Sequence, residues 1–181
     1  MKRHVALVIA ALTTSGCLWV VNKAQPDSGP IARDPARVDR GRYLVENVAN
    51  CFACHPRTTE LGTLNRFDKD RGRIPGVVWA PNLTSDTETG LGNWTDGLVV
   101  RAIREGVDAD HEALVPVHPY LDYNTMADED VRSVVAYLRT LTPIRLRVPE
   151  RKLEPFYSLM LNLIPKAATN SLVPDRRDKV A

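Results

Sequence analysis

Residues 51–55 of this 181-residue chain read Cys-Phe-Ala-Cys-His, and this short motif constrains the fold more than any other feature. The spacing Cys-x-x-Cys-His is the attachment signature of c-type haem. The thiols of Cys51 and Cys54 can add to the vinyl groups of haem, and His55 on the same turn can then reach the iron. The other ring nitrogen of His55 should donate to a backbone carbonyl of the following loop, which fixes the tautomer. We therefore predict one covalently bound haem c with His55 as an axial iron ligand.

Zinc or thiol redox chemistry would account for the cysteine pair less well than haem does. A zinc site needs a second ligand pair, and the remaining cysteine, Cys17, lies in an apolar N-terminal segment. A thioredoxin-like redox pair expects a βαβ setting, which the sequence does not indicate. A structural disulfide between Cys51 and Cys54 stays open, because an oxidising compartment would permit it.

Residues 1–24 are predicted to be a signal or membrane-anchor segment. Lys2 and Arg3 precede an uncharged, apolar run that extends from Val5 to Val21, which is the pattern of an export signal. The run continues past Cys17 and favours a single-span anchor, with cleavage or lipidation at Cys17 as alternatives. Each of these fates places the rest of the chain outside the cytoplasm.

The exported part is predicted to be all-α, with few short helices and long loops. Residues 25–36 form a Pro-rich linker, and residues 37–145 form the domain. Apolar spacing and capping residues predict three helices, which span residues 37–50, 96–105 and 128–141. Residues 56–93 hold many glycines and prolines and should form loops, and no strand alternation is evident. Three short helices bury little surface, so we expect a large flat cofactor to complete the core.

Residues 146–181 are predicted to be a C-terminal tail. Its apolar run from Pro155 to Ile164 is too short to span a membrane. We interpret it as a short helix packed on the domain, with a docking surface for a partner or the membrane as the alternative.

The sequence resembles the class I cytochrome c family, and most of all the cytochrome c subunits of bacterial membrane-bound dehydrogenases. The resemblance covers roughly residues 37–145. Besides the haem motif, the matching stretches, in the order of the family, are residues 41–45, 80–84, 89–95, 101–106, 116–120 and 128–139. It implies an electron carrier rather than an enzyme, with redox proteins as partners on the periplasmic side of the bacterial inner membrane. It also implies that the first and last helices cross above the haem, with Gly41 near Tyr137, and that Trp94 packs near the haem edge.

The sequence departs from the family at the sixth iron ligand. The resemblance implies a methionine before a Pro-aromatic pair, and His118 stands there, in Val117-His118-Pro119-Tyr120. We therefore predict bis-histidine iron with His55 and His118 as ligands, and Met126 as the alternative sixth ligand. Four basic residues of the long loop are candidates to neutralise the haem propionates, although solvated surface charge is the better explanation for any single one of them: Arg66, Lys69, Arg71 and Arg73.

Two other functions compete with electron transfer. A peroxidase-like haem enzyme or gas sensor would need an open distal site, in which His118 could act as a base. A structural module without haem would carry the Cys51–Cys54 disulfide. The formal net charge of +2 gives no support for a nucleic-acid partner.

Overall fold

The computed structural model describes residues 29–163. The N-terminal segment 1–24 with Cys17, residues 25–28 of the linker and residues 164–181 of the tail lie outside the described residues. Within the described range, no helix is both long enough and apolar enough to cross a membrane.

Helix α1 spans Pro35–Tyr43 and leads towards the haem motif. The Asp34 side chain accepts a hydrogen bond from the Arg37 amide at 2.9 Å, and Pro35 occupies the first helical position. The chain then continues as a π-helical turn over Leu44–Val48. The helix predicted over residues 37–50 is therefore present, but it begins two residues earlier and its last turn is wider.

Helix α4 spans Asp128–Leu138 and crosses α1 at Gly41. A Cβ atom built on Gly41 would lie 1.9 Å from the carbonyl oxygen of Ser133 and 2.8 Å from the Cβ of Tyr137. The two helix backbones are in contact here because Gly41 has no side chain. The crossing expected near Tyr137 is confirmed.

Helices α2 and α3 lie between these two in sequence. Helix α2 spans Asp96–Glu105, as predicted, because Thr95 caps its first turn and Gly106 ends it with a left-handed φ of 67°. Helix α3, Tyr120–Tyr123, is a single turn that the sequence did not indicate. Helix α4 ends three residues before the predicted end, at Leu138.

The structure also contains strands, which the sequence did not predict. Strands β1 (Arg66–Phe67), β2 (Gly76–Trp79) and β3 (Lys152–Leu153) form an antiparallel sheet in the order β1-β2-β3. Phe67 pairs with Val78, and Gly76 pairs with Leu153. The strands are only two to four residues long, too short for an alternating pattern to be recognised, and β3 comes from the distant tail.

Two separate apolar clusters form the core. One lies among the helices and includes Val45, Val99 and Val135. The other lies under the sheet and includes Ile74 and Leu161. Leu161 belongs to helix α5, Pro155–Leu163, and is only 1% exposed. The prediction of a short helix packed on the domain is therefore confirmed for this part of the tail.

Candidate haem-binding site

The Cys-x-x-Cys-His motif folds as one tight turn. Asn50 adopts a left-handed conformation with a φ of 46°, which asparagine tolerates better than most residues, and a 3₁₀ turn follows over Cys51–Ala53. The amide of His55 donates to the carbonyl oxygen of Cys51 at 3.0 Å. This compact turn directs the side chains of Cys51, Cys54 and His55 to the same cavity.

A cavity of about 420 Å³ lies between the two apolar clusters. Its walls include Val99 and Leu138 from the helical cluster and Phe67 and Val78 from the sheet cluster. Such a volume falls within the range of roughly 300–1,000 Å³ typical of ligand and cofactor sites. The clusters thus leave between them the space that we expected a large cofactor to fill.

His55 is held in a defined tautomer. Its Nδ1 donates to the carbonyl oxygen of Pro81 at 2.8 Å, so Nε2 remains available to bind a metal. Burial lowers the pKa of His55, although the hydrogen bond to Pro81 raises it in part. The ring is therefore neutral at physiological pH, which is the form that binds iron. The carbonyl contact expected from the sequence is confirmed.

His118 lines the same cavity as His55. Its Nδ1 is buried and has no hydrogen-bond partner in the described part of the chain. Burial lowers the pKa of His118 to about 4, helped by the proximity of His55. A buried imidazole nitrogen without a partner is costly unless a further ligand binds it. This orphaned polar atom fits a site that is completed by a metal-containing cofactor.

Two tyrosines fix the ring of His118. Tyr120 stacks on it with ring centroids 6.4 Å apart, and Tyr123 meets it edge-on at 5.7 Å. The Tyr123 hydroxyl donates to the carbonyl oxygen of Ala49, just before the haem motif, at 3.2 Å. Tyr123 thereby links the segment that carries His118 to the segment that carries the cysteines.

Met126 also lines this cavity, as does Trp94. Both His118 and Met126 are therefore placed where a sixth ligand could come from. The assignment of His118 as that ligand stays a prediction. The placement of Trp94 is consistent with the packing near a haem edge that the resemblance implied.

The two motif cysteines are free thiols in this structure. Burial raises the pKa of Cys51 to about 11, which keeps the thiol protonated. Cys51 packs against the helical cluster and Cys54 against the sheet cluster, so each thiol lies on a different wall of the cavity.

The candidate cations of the long loop lie elsewhere. Arg66 pairs with Asp68, and Arg71 lies over the ring of Phe67 at 4.7 Å. None of the four loop cations lines the cavity within the described residues. The cation that does line it is Arg151, from the segment before β3. No local pattern in the sequence indicates this placement, because only the pairing of β3 with β2 brings Arg151 there.

Comparison with known proteins agrees with this geometry. The family model described as "Cytochrome c" matches residues 38–142. A subunit of the nicotinate dehydrogenase of Pseudomonas putida is 34% identical over 122 residues, which is 67% of this chain and 10% of that protein. The fructose dehydrogenase cytochrome subunit of Gluconobacter japonicus is 32% identical over 166 residues, 90% of this chain and 34% of that subunit. The cytochrome c subunit of a quinone alcohol dehydrogenase from Gluconobacter oxydans is 30% identical over 115 residues, 63% of this chain and 23% of that subunit.

The cavity, the attachment motif and these matches define a haem-binding domain of the class I cytochrome c type. The chain belongs to the cytochrome c family. It spans about a tenth to a third of the length of the relatives it resembles. The family membership implies a covalently bound haem c, and the residues described above fit it.

Proposed function

We propose that this protein is an exported monohaem c-type cytochrome that carries single electrons between redox proteins of the cell envelope. The observation that carries the proposal is that Cys51, Cys54, His55 and His118 line one cavity. A diheme cytochrome from Cereibacter sphaeroides is also similar, at 25% identity over 148 residues. One haem per chain is nevertheless proposed here, because the sequence contains a single Cys-x-x-Cys-His motif.

Each residue of the site has a distinct role in this proposal. Cys51 and Cys54 would hold the haem through thioether bonds, and His55 and His118 would bind its iron. The bound group supplies a one-electron exchange between ferric and ferrous iron. The apolar walls would exclude water from the bound group. The Pro81 carbonyl would orient the ring of His55, and Tyr120 and Tyr123 would hold that of His118. If His55 and His118 both bind the iron, the chain would act as an electron carrier rather than a catalyst.

The partner is proposed to be a dehydrogenase. The similar proteins are named as subunits of nicotinate, fructose and alcohol dehydrogenases. We infer that this chain likewise accepts electrons from a dehydrogenase or belongs to a complex with one. Co-purification of the tagged chain should recover a dehydrogenase. Recovery of the chain alone from gently solubilised membranes would contradict a stable complex.

Residues 1–24 are proposed to place the domain on the periplasmic side of the bacterial inner membrane. The apolar run follows the positive charges of Lys2 and Arg3 and continues past Cys17 to Val21, which supports a single-span anchor with Lys2 and Arg3 in the cytoplasm. Cell fractionation should find the protein in membranes, with the domain accessible to protease from the periplasm. Substitution Cys17→Ser tests the lipidation alternative, because only a lipidated protein would lose a covalently bound fatty acid in this variant.

The haem itself is tested by pyridine haemochrome analysis of the purified protein. The proposal expects one covalent haem per chain, and the variant Cys51→Ala should retain at most one thioether link. A protein without covalent haem would refute every haem-dependent function. The structural module with a Cys51–Cys54 disulfide would then be the remaining candidate.

Carbon monoxide binding separates a carrier from a haem enzyme or gas sensor. The reduced protein should bind carbon monoxide slowly or incompletely, because His118 would occupy the sixth position of the iron. Rapid and complete binding would indicate an open site. The variant His118→Met should raise the midpoint potential, since methionine ligation raises the potential of haem.

A further inference from the structure

The wall of the haem cavity is almost free of charge. Among the described residues that line it, Arg151 is the one Lys, Arg, Asp or Glu side chain. The other polar side chains on this wall are mainly those of His55, His118, Asn50 and Tyr123. A charge beside apolar surface is costly unless it is paired, so the partners of Arg151 decide how much of its guanidinium is left for a ligand.

The position of Arg151 is set by the sheet. Lys152 and Leu153 form β3, which pairs with Val77 and Gly76 of β2. A Cβ atom on Gly76 would lie 2.2 Å from the carbonyl oxygen of Lys152, so this close pairing depends on glycine. The next residues of β2, Val78 and Trp79, line the cavity. The tail is therefore fixed to the same strand that forms the cavity wall.

The protein occupies only some of the hydrogen-bond donors of the Arg151 guanidinium. Its Nη1 donates to the carbonyl oxygen of Ala113 at 2.8 Å, and its Nη2 pairs with the carboxylate of Glu112. The side chain of Arg151 is 29% exposed, and that of Glu112 is 57% exposed. Each of these contacts uses one N–H donor, so the remaining donors of the planar fork are available to a ligand in the cavity.

We propose that Arg151 binds a propionate carboxylate of the haem, so that the segment around β3 is part of the cofactor site. This inference rests on the proposed function, because it requires the haem. Haem carries two propionate carboxylates on an otherwise apolar ring, and the fork of arginine matches a carboxylate in a bidentate manner. The residue lies outside the part of the chain that the family model matches, residues 38–142. Arg151 is thus a contribution of this chain's tail to the site.

The electrostatic consequence is a higher midpoint potential. A positive charge at the cavity disfavours the ferric state, which carries one more positive charge than the ferrous state. Removing Arg151 should therefore favour oxidation. At the wild-type midpoint, we expect the ratio of reduced to oxidised protein to fall by roughly three- to tenfold, as for a partly screened unit charge.

The test compares Arg151→Gln with Lys152→Gln in the full-length holoprotein. Both substitutions remove one positive charge from adjacent positions, but Lys152 is exposed and does not line the cavity. Redox titration at low and high salt should show a lower midpoint for Arg151→Gln at both salt concentrations. Lys152→Gln should show a smaller shift that high salt removes. Equal shifts in the two variants would overturn the inference.

A second readout uses the conservative variant Arg151→Lys, which keeps the charge and loses the fork. Infrared redox-difference spectra of protein with ¹³C-labelled haem carboxylates report directly on their hydrogen bonds. The labelled carboxylate band should shift in Arg151→Lys and stay in place in Lys152→Gln. An unmoved band in Arg151→Lys would overturn the inference even if Arg151→Gln failed to fold. Absence of haem from the wild-type protein would instead refute the proposed function, so the two failures are distinguishable.

Discussion

The contact between α1 and α4 at Gly41 gives the most quantitative prediction about stability. In Gly41→Ala the new Cβ would lie 1.9 Å from the Ser133 carbonyl oxygen, far inside the 3.4–4 Å of ordinary contact. The carbonyl belongs to a helix backbone and cannot rotate away, so the helices must separate. Overpacking of this kind costs about 1–3 kcal/mol, and the upper end applies here. The better helix propensity of alanine returns about 0.5–1 kcal/mol. We expect a net loss of about 2 kcal/mol in the free energy of unfolding.

Urea unfolding of the holoprotein, followed by circular dichroism, measures this loss. With a slope of about 2 kcal/mol per molar urea, the midpoint concentration should fall by about 1 M. Gly62→Ala is the matched control, because Gly62 is exposed and has an ordinary φ of −94°. Its stability should change by less than about 0.5 kcal/mol. An unchanged midpoint for Gly41→Ala would refute the close crossing of the two helices.

Two further predictions concern contacts that hold the helices and loops together. Asp96 accepts hydrogen bonds from Arg139 Nε at 2.7 Å and from the Ile31 amide at 2.8 Å, and the two charged side chains are only 6% and 9% exposed. Asp96→Asn leaves the guanidinium of Arg139 buried without its counter-charge. The free energy of unfolding, measured in urea, should fall by about 3–5 kcal/mol. A variant as stable as the wild-type protein would argue against the buried pair. Tyr123→Phe removes the hydrogen bond to the Ala49 carbonyl but keeps the ring beside His118. The free energy of unfolding should fall by about 0.5–1.5 kcal/mol, and the visible spectrum should not change. A changed spectrum would show that the hydroxyl, and not the ring alone, supports His118.

Features set by neighbouring residues could be predicted from the sequence. The ends of α2 follow from Thr95 and Gly106, each of which acts within one turn of the helix. The His55 contact to a loop carbonyl follows from the coordination chemistry of the motif, and the structure supplies Pro81 for it. The crossing at Gly41 was expected from the resemblance to the cytochrome c family, and it supplies the close neighbour that justifies the cost of a glycine inside a helix.

Features set by distant residues could not be predicted. The pairing of β2 with β3 depends on two short segments that lie far apart in sequence, and neither has a strand pattern of its own. The same pairing places Arg151 at the cavity, which the four loop cations do not line within the described residues. The edge-on contact of Tyr123 with His118 likewise depends on the turn of α3, which no local signal indicated.

The central claim is that one covalent haem in this cavity has His55 and His118 as its iron ligands. The reduced-minus-oxidised spectrum, recorded during redox titration of the wild-type protein and of His118→Ala, tests it most directly. We predict a single one-electron transition in the wild-type protein, and in His118→Ala an altered spectrum, a shifted midpoint and rapid carbon monoxide binding. An unchanged spectrum and midpoint in His118→Ala would contradict bis-histidine ligation, and a loss of the wild-type spectrum in Met126→Leu would assign the sixth position to Met126 instead.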